Sequence, residues 1–432
     1  MQLGEDEKRQ FLDKLLEFLK IPSISATGEG IKETAEWLRE FMREIGINVR
    51  LEDTGGNPVV YGEVNNGGDR TLLIYNHYDV QPVDPLNEWK YPPFSAKVEN
   101  GYIYARGASD NKGTLMARLL AFTKYKGKLN FKFVIEGEEE IGSINLHNFI
   151  YKVKPKADGV LMEGSSLDTK GRPLVILGVK GLVYVELRVR TGSKDVHSSN
   201  APVVYNPAWE LIKILNSIYD GERVKIKGFY DDIEPISKEI EEMLRNYDLD
   251  VDEFRKALGA FKLKYNDRYE LVKALFTEPT CNIDGFYSGY IGEGSKTITP
   301  AYAKVKLDFR LVPNQDPVKI YNSLVEMVKD KAEVINLGLE KPVRTSPNTR
   351  IVKAIVSSAR RVYNTEPVLI PNSAGTQPMG LFSDLGIKEI VSAIGVGHPG
   401  SNAHAPNENI KVDNFFKAIE HAYEFYKDYE TI

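Results

Sequence analysis

The stretch "VIEGEEEIGS", residues 134–143, sets an apolar run against four glutamates. With Phe131 and Phe133 before it, the run reads as a buried strand, and Glu136, Glu138, Glu139 and Glu140 leave its C-terminal end. Carboxylates gathered at the end of a buried strand cost free energy through desolvation and mutual repulsion. The arrangement calls for positive charge nearby. In sheets covered by helices on both faces, ligands sit at the carboxyl ends of the strands, so the stretch indicates both a fold and a site. Adjacent residues leaving a strand point in different directions. One of Glu139 and Glu140 can therefore bind a cation while the other faces a water, and Glu136 and Glu138 read as flanking or surface charges.

Outward from this stretch the chain alternates. Upstream, "DEKRQFLDKLLEFLKIP" (6–22) places Phe11, Leu15 and Phe18 on one helical face before Pro22, and "IKETAEWLREFMREIG" (31–46) repeats the pattern up to Gly46. Strands are predicted at "PVVYGEV" (58–64) and "TLLIYNH" (71–77), a helix at "TLMARLLAFTKY" (114–125), a further helix near 143–153 and a strand at "GVLME" (159–163). Buried strands alternating with helices imply an α/β sheet covered on both faces.

After about Lys180 the pattern changes. "GLVYVELRVRTG" (181–192) and "AYAKVKLDFRLVP" (301–313) alternate apolar and polar residues, as strands with one solvated face do. Each precedes an amphipathic helix, "NPAWELIKILNSIYD" (206–220) and "PVKIYNSLVEMVKD" (317–330), and residues 221–280 form a charged, helix-rich excursion. The first pattern returns from about residue 347 with "IVKAIVSSARRVY", "EIVSAIG" and "VDNFFKAIEHAYEFYKDY". The expected organisation is a discontinuous domain, 1–180 with 344–432, carrying a smaller α+β domain inserted at 181–343.

The chain has 432 residues, 42% hydrophobic and 27% charged, with a net charge of −5. This length fits two domains, and nothing basic suggests nucleic acid. The single cysteine, Cys281, excludes a disulfide within the chain and reads as a small buried residue. That usage, an acidic N-terminus unlike a signal peptide, and no apolar run approaching the roughly 20 residues of a membrane span point to the cytoplasm.

His77 and Asp79 end the strand "TLLIYNH" and its continuation, two apart, where Asp79 can orient the imidazole. Asp110 precedes a helix, a position that also suits an N-cap. Glu163 closes "GVLME", and His404 lies in the loop "GHPGSNAHAPNE" (397–408). Two histidines and several carboxylates at strand ends and loops suit zinc, manganese or cobalt, and a bridging carboxylate permits two ions about 3.5–4 Å apart.

Eight stretches together resemble one family: "NHYDVQP", "ARGASDNKG", "EGEEEIGS", "VLMEG", "DVHSS", "LDFRLVPNQDP", "NSAGTQPMG" and "GSNAHAPNE". They follow the order seen in the di-metal peptidases and deacylases that include carboxypeptidase G, acetylornithine deacetylase, succinyl-diaminopimelate desuccinylase and the carnosine dipeptidases, and are most similar to the dipeptidase branch. The resemblance implies a phosphorylase/hydrolase-like catalytic domain with an inserted ferredoxin-like lid or dimerisation domain. It implies two divalent ions, zinc before manganese or cobalt, one held by His77 and Glu163, the other by Glu140 and His404, with Asp110 bridging them. Asp79 would orient His77. Glu139 would be the base that activates water and protonates the leaving amine, and the Asp110–Asn111 peptide would be cis. His197 would reach the active site of a second subunit in a homodimer and donate to the oxyanion. Arg310 would grip a terminal carboxylate, with Asn282, Gly375 and Thr376 adding hydrogen bonds. Glu163 stands where some relatives carry Asp. The implied activity is hydrolysis of dipeptides or of C-terminal residues of short peptides. Deacylation of N-acyl amino acids is the alternative, and a non-catalytic binding protein is a third reading. Neither nucleic acid nor membrane is an expected partner.

Overall fold

In the computed structural model, which describes residues 3–432, the chain forms two compact units. The first runs up to Gly178 and takes in Thr345–Pro371 and Leu381–Ile432; the second comprises Val179–Arg344 and Asn372–Gly380. The expected boundaries shift by two residues at Val179–Lys180 and by one at Arg344, and the larger difference is Asn372–Gly380, expected in the first unit. Asn372–Gly380 groups with the second because Ser373 O accepts from Lys180 N at 3.3 Å and Asn372 Oδ1 from Arg344 Nε at 2.6 Å.

The first unit is built on an eight-stranded mixed sheet in the order Asn48–Glu52, Val59–Val64, Asn130–Glu136, Thr71–His77, Gly159–Met162, Glu389–Ser392, Leu174–Ile176, Val368–Ile370. The middle strands, from Asn130–Glu136 to Glu389–Ser392, run parallel. Parallel strands need cover on both faces, and Thr71–His77 is accordingly buried from Leu72 onward. The helix Lys112–Lys124 is buried at nearly every position because it lies among others: it packs on Glu5–Leu19 and on Val412–Thr431, which in turn packs on Arg350–Tyr363. The helix expected near 143–153 forms at Leu146–Val153. Register decides the site. His77 pairs with Glu136 and Ile74 with Leu161, so the parallel strands leading to His77, to Glu139 and Glu140, and to Glu163 all finish at the same, carboxyl end of the sheet.

The second unit holds a four-stranded antiparallel sheet in the order Asn282–Ser288, Tyr302–Leu311, Gly181–Arg190, Glu333–Glu340. Its first and third strands in chain order are central, the ferredoxin-like arrangement. The helices Pro207–Ile218 and Pro317–Val328 pack on its strands. Alternate residues Val183, Val185, Leu187 and Val189 fill the core with Ala303, Val305, Leu307 and Phe309. Cys281 is half-buried beside this core, and burial pushes its thiol up to about 12. The excursion after Pro207–Ile218 forms three helices, Lys238–Asn246, Val251–Ala257 and Arg268–Thr277. Among the described residues no helix is long and apolar enough to cross a membrane.

Candidate metal centre

At the carboxyl end of the first unit's sheet, two histidines and three carboxylates converge. His77 Nε2 lies 3.0 Å from Asp110 Oδ1 and 3.3 Å from Glu163 Oε2. His404 Nε2 lies 3.0 Å from Asp110 Oδ2 and 3.1 Å from Glu140 Oε2. Asp110 thus turns one oxygen to each imidazole. The Asp110–Asn111 peptide is cis. Glu139 sits beside the group, with ligand atoms of His77, Glu139 and Glu163 all within 4.8 Å of one another, as are those of His77, Asp110 and Glu140. A cavity of about 200 Å³ opens beside Asp110 and Glu163, with Ser165, Ser166 and Gly397 in its wall. A Cβ on Gly397 would meet Ser166 Cβ at 3.1 Å and Ser109 Oγ at 3.3 Å, so a larger residue there would press on this wall.

The electrostatics match a cation site. Burial opposes ionisation of Asp110, yet hydrogen bonds from His404 and His77 hold its carboxyl well below the ordinary value. Burial also opposes charge on His77, but Asp110, Asp79 and Glu163 raise its pKa well above normal, and bonds to Asp110 and Glu140 push His404 up to about 10. Burial and the neighbouring Glu163 charge push Glu139 up to about 9. The donor set favours positive charge, and the pKa values of both imidazoles are raised by it. Divalent cations held there would displace protons from the imidazoles and would lower the Glu139 carboxyl again, which suits a base. Glu140 Oε1 is buried and accepts no hydrogen bond from the described residues, which leaves it open to a metal. The chemistry of the set, imidazole plus carboxylate, suits zinc, manganese or cobalt.

Asp79 refines the expectation placed on it. His77 Nδ1 lies 3.0 Å from the Asp79 carbonyl oxygen and 3.4 Å from its carboxylate. Donation from Nδ1 leaves Nε2 facing Asp110 and Glu163, the geometry a metal ligand needs. The Asp79 carboxylate also accepts from Glu139 N at 3.2 Å and Glu140 N at 3.0 Å. It ties the histidine strand to the turn that carries the two acids.

Two expectations are corrected. Glu136 and Glu138 are not surface charges: both are buried. Glu136 accepts from Tyr75 and Ser143, and Glu138 from the amides of Asn57 (2.9 Å) and Asn145 (3.0 Å), so they brace the loop. Asp110 is not the helix cap either. Asn111 holds that position, and its side-chain amide donates to Glu163 O at 2.7 Å.

Two residues that sequence reasoning passed over also serve the cluster. Gln81 donates to Glu140 Oε2 at 2.9 Å. Glu408, fully buried, accepts from the backbone amides of Gly107, Ser109 and Asp110 and from Arg106. In sequence Glu408 closes the stretch "GSNAHAPNE", but nothing in that Pro/Asn loop gives it a role beside the His404 it follows.

The remaining expected residues lie in the second unit. Arg310 Nη1 donates to Thr376 Oγ1 at 2.5 Å, its Nε lies 3.4 Å from Asp308, and Gly375 adjoins Thr376. Asn282 is exposed on an edge strand and donates to Asp284 and Asp308. His197 is exposed; its Nδ1 accepts from Ser199 N at 3.1 Å, which puts the ring proton on Nε2 as a donor.

Residues 73–428 match the model of peptidase family M20/M25/M40. An M20 family metallo-carboxypeptidase, Sso-CP2 from Sulfolobus solfataricus, superposes with a TM-score of 0.92 at 57% identity, over 98% of this chain and all of that one. The Cys-Gly metallodipeptidase dug1 of Schizosaccharomyces pombe is 27% identical over 96% of this chain and 94% of its own. The Beta-Ala-His dipeptidase of Homo sapiens is 26% identical over 84% of this chain and 76% of its own. With the family matched across most of its length, this chain belongs to peptidase family M20/M25/M40 and is a metallopeptidase.

Proposed function

We propose that this chain cleaves dipeptides and the C-terminal residue of short peptides, with two divalent ions, zinc foremost, held by His77, Asp110, Glu140, Glu163 and His404. The observation that carries this reading is the meeting of both imidazoles on the two oxygens of Asp110, with Glu139 beside them. When bound, such ions acidify water and polarise a carbonyl. Glu139 then accepts the proton from the attacking water and returns it to the departing amine. Asp79 and Gln81 hold the ligands in place, and the cavity beside Asp110 and Glu163 receives a substrate group.

Arg310, oriented by Thr376 and Asp308, fits a substrate carboxylate bidentately, with Asn282 and Gly375 as further donors. The 57% identical metallo-carboxypeptidase supports this choice of substrate end. The second unit serves as lid and dimerisation domain in a cytoplasmic homodimer. Its edge strand exposes Ile283 and Phe286, and Trp209 and Ile212 are exposed on a helix of the same unit. The Nε2 donor of His197 serves the oxyanion in the partner's site. Mixing Glu139→Gln with His197→Ala chains tests this: activity returns in the mixture if His197 acts across subunits, and stays absent if it acts within its own.

The central test measures metal content and hydrolysis over a panel of dipeptides, longer peptides, their C-terminal amides and N-acyl amino acids. Release of C-terminal residues from free-carboxylate peptides by a protein with about two ions per chain is the expected result. Turnover confined to N-acyl amino acids would overturn the peptide assignment.

A further inference from the structure

We propose that Glu408 is the positioning residue that sets the spacing between Asp110 and His404, and with it the affinity of the site for divalent cations. This rests on the metal reading above. The strand Asn409–Lys411 pairs with Tyr102–Tyr104, and the ladder continues where Ala105 N donates to Glu408 O at 3.1 Å. That register delivers the Glu408 side chain beneath the loop before Asp110. Its Oε1 accepts from Ser109 N at 2.8 Å and Asp110 N at 2.9 Å, and its Oε2 from Gly107 N at 3.0 Å and Arg106 Nη1 at 2.9 Å.

Every one of these partners is an obligate donor, so only a carboxylate satisfies all four. The cost of burying that charge is offset by four charge-assisted bonds. Four residues before Glu408 in the chain stands His404, whose backbone has φ +61°, a region that non-glycine residues rarely occupy and that needs support from outside. The neighbouring turn is pinned as well: Asn407 Nδ2 donates to Glu88 O at 2.9 Å, and Asn409 Nδ2 to Gly400 O at 2.8 Å. Glu408 therefore joins two loops almost 300 residues apart in sequence, one bearing Asp110 and the other His404. It touches no reacting atom; it acts through the residues that do.

The variant Glu408→Gln tests the idea. Whichever way its amide turns, the NH₂ meets two N–H donors and pushes the Asp110 loop away. Metal affinity, read by competition with a chromophoric chelator on the apoprotein, should weaken by about 10–100-fold, as loss of outer supports of metal ligands does. Ile419→Val, buried in the helix Val412–Thr431 and remote from the cluster, is the control. It should lower resistance to urea and leave the affinity unchanged, which separates loss of fold from loss of positioning. Glu408→Asp keeps the charge and should recover part of the affinity. An affinity in Glu408→Gln equal to wild type would overturn the proposal, as would chains of both Glu408 variants that fail to fold. Wild-type protein that binds no divalent cation would instead overturn the metal reading itself.

Discussion

Replacing Asp79 by Asn tests how the site is held. The Asp79 carboxylate is fully buried and accepts from the amides of Glu139 and Glu140, while lying 3.4 Å from His77 Nδ1. Asparagine has the same shape but one acceptor oxygen. Its NH₂ must face an amide N–H, so one charge-assisted bond is lost and a buried donor is stranded. A bond of this kind contributes about 1.5–3 kcal/mol, and urea unfolding of the apoprotein should show a loss of that size. The functional cost is larger, because the disturbed turn carries both the base and a ligand. A displacement near 1 Å in such a group lowers the rate by about 100-fold. Steady-state kinetics on a preferred peptide should therefore show kcat/KM falling by about two orders of magnitude. A variant with wild-type stability and kcat/KM within about threefold of wild type would refute the view that this carboxylate clamps the glutamate turn.

Glu139→Gln should lower kcat by about 10²–10⁴-fold while elemental analysis finds the metal content unchanged. Arg310→Ala should raise KM by about 10–100-fold for peptides with a free C-terminal carboxylate, the equivalent of one bond to a charged group, and should leave the corresponding amides unaffected. His421 gives a pH test remote from the site. Its Nε2 lies 3.3 Å from Ile355 O, its Nδ1 is buried without a partner among the described residues, and burial pushes its pKa down to about 4. An unfolded histidine takes its proton near pH 6.5, so the unfolded chain binds more protons between about pH 6.5 and 4, and stability is lost as pH falls through that window, by up to about 3 kcal/mol. His421→Phe should flatten the dependence of unfolding free energy on pH between about pH 7 and 4.

Much of this was legible in the sequence because the signals are local. "TLLIYNH" and "FKFVIEGEEE" carry strand and ligand in one stretch, and parallel register then brings His77 level with Glu136. The inserted α+β unit announced itself through the alternation of residues 181–192 and 301–313. What stayed hidden depends on partners far away in the chain. Glu408 meets amides about 300 residues upstream, and Glu138 meets Asn57, 81 residues before it. A carboxylate held mainly by backbone amides leaves a sequence pattern little to reveal. Glu136 and Glu138 also read as solvated, since the hydroxyls and amides that hold them carry no charge for a pattern to match, and the grouping of Asn372–Gly380 with the second unit could not be anticipated from composition.

The Asp110 loop is completed from the far end of the chain, since Glu408 and His404 both come after residue 400. A ribosome makes the loop first and its supports last. For most of synthesis the acids of residues 79–163 are crowded at the carboxyl end of the sheet without the second imidazole or the four-bond brace, and the helix Val412–Thr431 that covers Lys112–Lys124 follows later still. Nascent chains therefore pass through a long interval in which the centre cannot be completed, and a stop even shortly before residue 404 leaves a protein with most of its mass and no complete centre.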